Sequence, residues 1–165
     1  MTFLCTAAAT ALSDLLTAQT GAARKLADRL QAASLSSHDY PAPLVRLGHA
    51  RLEVLEKVQG ARPAQALVYC ERIRNLLKEK FQVFSGEVDV VVEVHVSSDR
   101  LEGLELRTQL YVESILDVLH DGRGEWRQGI YHTGRYEVKL DPARHGGKNF
   151  AQTAKILIPV DVHMD

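Results

Sequence analysis

Three side chains that could share one metal ion or one reaction lie in a single run, EVDVVVEVHVSS. Asp89, Glu93 and His95 stand at i, i+4 and i+6, and strand alternation puts all three on one face. Carboxylates and an imidazole suit a divalent cation. A polar row on the wet side of a half-buried strand looks the same and is the commoner origin of such a pattern. Asp161, His163 and Asp165 form a second acid–imidazole group, placed where the chain end is expected to fray. Neither group is joined by an HExxH or CxxC pair.

The stretch His145-Gly146-Gly147-Lys148 has the ingredients of a phosphate cradle, since glycines admit close backbone N–H groups and a lysine adds charge. It lacks Walker spacing and reads better as a hairpin tip, with Arg144 and Asn149 on either side. No GxSxG elbow occurs, and neither Cys5 nor Cys70 has an assignable catalytic base in its local sequence. The two cysteines, 65 residues apart, read as reduced packing thiols. Arg72, Arg74, Lys78 and Lys80 follow Tyr69, but Glu71 and Glu79 interrupt them and no aromatic platform for bases accompanies them. Trp126, the single tryptophan, is expected either to cap the core or to anchor an interface. No cofactor is expected.

The elements that must carry these residues follow from periodicity. Leu4, Ala8, Leu12 and Leu15 form a helical stripe that Gly21 stops, and Ala22, Leu26, Leu30 and Ala33 continue a second one, so one kinked helix or two short ones are expected. Turn formers and two prolines mark an exposed connection at 34–43. Leu47, Val54, Leu55 and Val58 have helical spacing, although LVRLG fits a short strand equally well. ALVYCERI reads as a strand, and so does the following run, with Val88, Val90, Val92, Val94 and Val96 on one face and a bulge at Gly86. Asp99 with Glu102 has capping-box spacing ahead of a helix that buries Leu104, Tyr111, Ile115 and Val118 and ends at the DGRG turn of 121–124. Two alternating runs follow, Ile130 to Leu140 and Ala154 to Val162, joined by the turn-rich DPARHGGKNF. Pro159 cannot donate to a ladder and predicts a sheet edge or a bulge.

The expected fold is therefore α+β: N-terminal helices, then β-β-α-β-β in an antiparallel or mixed sheet with one packed helix. At 165 residues, 45% hydrophobic and 25% charged, the chain is expected to form a single domain, with a helical part over 1–60 and a sheet part over 64–163. The apolar start is interrupted by Asp14 and no 18-residue apolar run occurs, so neither a signal peptide nor a membrane span is expected. A net charge of −1 gives no general attraction to nucleic acid, and no sequence-specific nucleic-acid partner is expected. The charge is unevenly spread, with ten acids against three bases over 87–125 and six bases against two acids over 127–155. Complementary stretches of this kind suit head-to-tail contacts between copies; equally, the charges intermix on folding.

The run from NLLKEKFQVFSGEVDVVVEVHVSSDRLEGLELRTQLYVESILDVL through GIYHTGRYEVKLDPARHGGKNFAQTAKILIPVDV resembles the tail terminator, or tail completion, proteins of tailed bacteriophages. The likeness covers about residues 64–163 and lies in a VxVxVxV strand, a polar turn, an amphipathic helix with a YV-xx-I-xx-VL pattern, and a terminal hairpin. It implies a structural virion subunit of the tail–neck region, made in the bacterial cytoplasm, with no catalytic residues. Such a subunit assembles as a hexameric ring on the tail tube protein and presents a docking surface to the head connector. The same resemblance implies contact surfaces at Arg144, His145, Lys148 and Asn149 and at Asp89, Glu93 and His95. The stretch 34–63 is longer than the resemblance leads one to expect, which leaves terminator, stopper and neck roles open. A small metal-dependent enzyme built on Asp89, Glu93 and His95, and a monomeric adaptor, are the readings from other classes.

Overall fold

The computed structural model describes residues 3–48, 63–77 and 83–165. The N-terminal stripes form two helices, α1 (Leu4–Thr17) and α2 (Ala22–Ala32). Gly21 separates them because the backbone closes on itself there: a Cβ at this position would sit 2.3 Å from the Leu16 carbonyl oxygen. Ala8, Leu12 and Leu16 of α1 and Ala22, Leu26 and Leu30 of α2 are buried. The connection that follows is largely exposed yet tethered. Tyr111 Oη donates to the Pro41 carbonyl at 2.7 Å, and Arg107 donates to the Asp39 carbonyl at 3.0 Å while lying over the Tyr40 ring.

The connection leads into a strand, β1 (Leu44–Leu47), the second of the two forms that LVRLG fits. Pairing favours the strand: Leu44–Leu47 lies parallel to Gln65–Val68, and Gly48 follows it at φ +105°. The remainder of that stretch, and Lys78 and Lys80, lie outside the described residues. The described helices of the N-terminal part thus end at Ala32, short of the expected boundary at 60.

The sheet is built on β2 (Gln65–Asn75), β3 (Phe84–Ser98) and β8 (Asn149–Met164), completed by β4 (Gly124–Arg127), β5 (Ile130–His132), β6 (Glu137–Leu140) and β7 (Arg144–Gly146). Its order is β1-β2-β3-β8-β5-β4, with β6 and β7 also along β8; only β1 and β2 are parallel, so the fold is α+β with a mixed sheet. Helix α3 (Leu104–Asp121) connects β3 to β4. The valines at 88, 90, 92, 94 and 96 are all buried in one core with Ile156, Ile158 and Val160 of β8 and the apolar faces of the helices. Two helices contact the sheet, where one was expected: α1 crosses β2 and β3, α3 crosses β3 and β8, and α2 rests mainly on α3.

Local expectations fail at four places. Gly86 carries no bulge, since β3 runs in unbroken register with β8 from Phe84↔Met164 to Ser98↔Phe150. The glycine instead permits a close backbone approach: a Cβ there would lie 1.9 Å from the Arg74 carbonyl oxygen. The bulge sits on β2, between Cys70 and Arg72. The Asp99–Glu102 capping box is not formed: α3 starts at Leu104 behind Gly103 at φ +77°, and Ser98 Oγ accepts the Arg100 N–H, so the turn is closed from its other side. Pro159 is on an interior strand, not an edge, but it stands between the His132↔Val160 and Glu137↔Leu157 pairings, where the neighbouring strand is interrupted. Nor does the chain end fray at Asp161 and His163, because the His163 N–H donates to the Gly129 carbonyl at 2.8 Å and its ring meets Ser85 Oγ at 3.1 Å.

Gly86→Ala is expected to destabilise the chain by about 1–3 kcal/mol, the usual range for overpacking. Urea denaturation at neutral pH checks this through a lower midpoint with an unchanged slope.

Candidate functional surface

The face of β2, β3 and β8 turned away from the helices carries the polar row. Alternation sends Ser85, Glu87, Asp89, Val91, Glu93 and His95 there, and the register sets Arg72 opposite Asp89 and Arg74 opposite Glu87. Asp89 is 1% exposed and Glu87 7%, so this end of the row does not meet solvent as the alternation led one to expect. Arg72 Nε donates to Asp89 Oδ2 at 2.6 Å, Arg74 ion-pairs with Glu87 and lies 3.7 Å from Asp89, and Arg135 reaches Glu87 Oε2 at 3.0 Å from the gap between β5 and β6. Three half-exposed guanidinium groups therefore close over two buried carboxylates.

Glu93 and His95 are half-buried and belong to a separate set. Tyr69 Oη donates to Glu93 Oε2 at 2.7 Å, and His95 Nε2 lies 2.8 Å from Glu93 Oε1. Burial first, and then the bond to Glu93, raises the Tyr69 hydroxyl far above its ordinary range, so it stays a donor. Four residues of strand put Asp89 about 13 Å from Glu93, and the Asp89 carboxylate is taken up by arginine. Asp89, Glu93 and His95, the residues on which the alternative metal reading rests, thus do not converge, and among the described residues no group of three His, Cys, Asp or Glu is placed to hold a metal ion.

The terminal hairpin turns at Gly147-Lys148, with Gly146 paired to Asn149 and Gly147 at φ +67°. Arg144, His145 and Lys148 are exposed, and the His145 ring meets Phe150 edge-on at 5.0 Å. Asn149, also expected as a contact residue, is 9% exposed: the first residue of β8 faces inward. Trp126 is half-buried and caps the core, its indole N–H donating to the Gly122 carbonyl at 2.7 Å and its ring tilted by 33° against His132 at 5.1 Å between centroids.

Folding consumes much of the charge asymmetry. Lys25 and Arg29 of α2 bind Glu113, Asp117 and Asp121 of α3, Lys155 binds Glu71, and Arg135 binds Glu87. Asp99 and Glu102 remain exposed in the turn before α3, and among the described residues they carry no ion pair; the same holds for Arg144 and Lys148. Because Ser98 pairs with Phe150, the acidic turn and the basic tip lie at the same end of the sheet.

The ion network escaped the sequence reading because Arg72 and Arg74 stood out there only as an interrupted basic stretch. Its trace in the sequence is a match of alternations, Arg-x-Arg on one strand against Glu-x-Asp on the next. No protein-family model matches the chain, and no curated protein matches it.

Removing the partners of Asp89 has unequal effects. Arg72→Ala takes the hydrogen-bonded partner from a buried carboxylate, leaves it Arg74 at 3.7 Å, and is expected to cost about 1–3 kcal/mol. Asp89→Ala leaves guanidinium groups that can turn to water and should cost distinctly less; paired denaturation curves test the order. His132 is buried, and its imidazole is held below the usual pKa by burial first, then by Arg123 and His120. A depressed folded pKa means that the unfolded chain binds the proton more readily, so this stability is present above about pH 6.5 and is lost as pH falls below it. His132→Phe is expected to flatten the fall in thermal stability between about pH 7 and pH 5, read by circular dichroism.

Proposed function

We propose that the chain is a structural subunit of a tailed-bacteriophage tail, a tail terminator that closes into a ring on the end of the tail tube and offers its other side to the head connector. It acts by contact and carries no catalytic step; its place is the tail–neck region of the virion, after synthesis in the bacterial cytoplasm. The observation that carries the reading is the position of the two exposed charge sets. The basic tip at Arg144 and Lys148 and the acidic turn at Asp99 and Glu102 stand at one end of the sheet. Sets of opposite sign on every copy can attract between neighbours, and a head-to-tail contact whose rotation closes makes a ring. The order of elements supports the same reading: N-terminal helices, the long valine strand β3, a polar turn, the amphipathic α3 and a terminal hairpin.

Native mass spectrometry and negative-stain imaging of the purified chain, alone and with tail tubes, test the proposal. Closed rings of about six copies, free or capping tubes, are expected. A chain that stays monomeric and leaves tube ends bare contradicts it, and rings that bind the head connector but not the tube would make the chain a neck or stopper protein. Arg144→Glu with Lys148→Glu is expected to abolish ring formation while changing stability by less than about 0.5 kcal/mol, since exposed turn charges contribute little to folding.

A further inference from the structure

His132 faces inward from β5, a strand of only three residues, and is 2% exposed. Among the described residues neither of its ring nitrogens has a hydrogen-bond partner. A neutral imidazole tolerates such a site at the cost of an unmade hydrogen bond. An imidazolium has two N–H donors and a charge, and it needs water or an acid.

Neither is at hand. β8 faces the ring with Val160, and β4 faces it with Gly124 and the tilted ring of Trp126. The charged and titratable groups that bear on it are Arg123 and His120, both basic. Arg123 packs over Gly134, where a Cβ would lie 2.8 Å from its Nε, and His120 Nε2 lies 3.1 Å from the Tyr136 hydroxyl. The acids of the neighbouring elements are engaged elsewhere: Asp14 of α1 with Arg127, Asp117 and Asp121 of α3 with Arg29 and Lys25, and Glu125 of β4 with the Gly129 N–H. Asp161 of β8 stands opposite Tyr131, on the other face of the sheet.

We propose that His132 is an acid-sensitive latch on the β4–β5 hairpin: neutral, it lets the hairpin close on α1 and the end of α3, and on taking a proton it drives the hairpin open and carries Trp126 into water. The hairpin is the part of the sheet suited to this. Its strands have four and three residues, and it is held by three pairings with β8, the bond between His163 and Gly129, the Arg127–Asp14 ion pair and the Trp126 bond to Gly122. Opening it leaves the long ladder between β3 and β8 intact. It also removes one wall of the cleft of about 1110 Å³ that Arg127, Gln128 and Ile130 share with Leu4, Ile73 and Phe84, so acid widens that cleft.

The direction in pH follows from the same surroundings. Burial first, then Arg123 and His120, holds the imidazole below its ordinary value while the hairpin is closed, and opening returns it to about 6.5. The closed form is therefore favoured above about pH 6.5 and loses ground below it. The opening constant rises about tenfold for each pH unit until the closed form itself takes up the proton.

Amide hydrogen exchange of the whole chain between about pH 7.5 and about pH 5.5, corrected for the chemical exchange of free amides, tests the latch. The amides of β4 and β5 are expected to exchange through an opening smaller than the global unfolding that β3 reports. Its equilibrium constant should rise about tenfold from about pH 6.5 to about pH 5.5 and little above that range. His132→Gln and His132→Phe, neutral throughout, should each keep the local opening and lose its rise with acid. Exchange of β4 and β5 only together with β3, a rise of less than about threefold per pH unit below about pH 6.5, or a rise that survives either substitution would each overturn the proposal.

Discussion

Strand β3 is hydrogen-bonded along both edges for most of its length, to β2 on one side and to β8 on the other, and everything else in the described fold is placed by it. A strand in this position has no spare backbone groups, so its side chains decide what lies above and below the sheet. Its even-numbered valines bury completely and give α1 and α3 a flat apolar floor, each valine contributing about 1.5–3 kcal/mol through burial. The close approach of Gly86 to the Arg74 carbonyl holds the β2 end of that floor, where any larger residue would push the strands apart.

The opposite face is closed by a different kind of interaction. Glu87 and Asp89 leave water because Arg72, Arg74 and Arg135 fold over them, and the half-exposed guanidinium groups keep contact with solvent while the carboxylates do not. Burying a carboxylate is costly unless it is both paired and hydrogen-bonded, so the network specifies register more than it adds stability: a slip of one residue on β2 would leave both acids unpaired. Arg135 extends the constraint to the terminal hairpin, since it arises from the gap between β5 and β6 and ends on β3. The hairpin, whose tip carries Arg144 and Lys148, is thereby oriented by the same strand that seats the helices.

Much of this was legible in the sequence, and the failures have physical causes. Periodicity located α1, α2, α3, β2 and β3, because each buries one clean stripe or alternation. It left β1 undecided between helix and strand, because the parallel ladder with β2 that supports the strand is not a local pattern. It placed the start of α3 too early, since Asp99 and Glu102 match a capping box in spacing while Gly103 and Ser98 govern the actual turn. It grouped Asp89 with Glu93 and His95 because they share a face, whereas the register hands Asp89 to Arg72 and leaves Glu93 to Tyr69 and His95. Face membership is a property of one strand; partners are a property of two, and only the second decides whether side chains converge on a ligand.

Native-state hydrogen exchange resolved to single amides tests most directly the claim that β3 organises the fold. The amides of Val88 to Val94 are expected to exchange only through global unfolding, with an opening free energy equal to that from denaturation, while β1 and β4 open more easily. Exchange of the Glu87–Asp89 stretch at the rate of the exposed turns would contradict the account, because it would mean that the arginine-covered face opens independently of the valine-packed one.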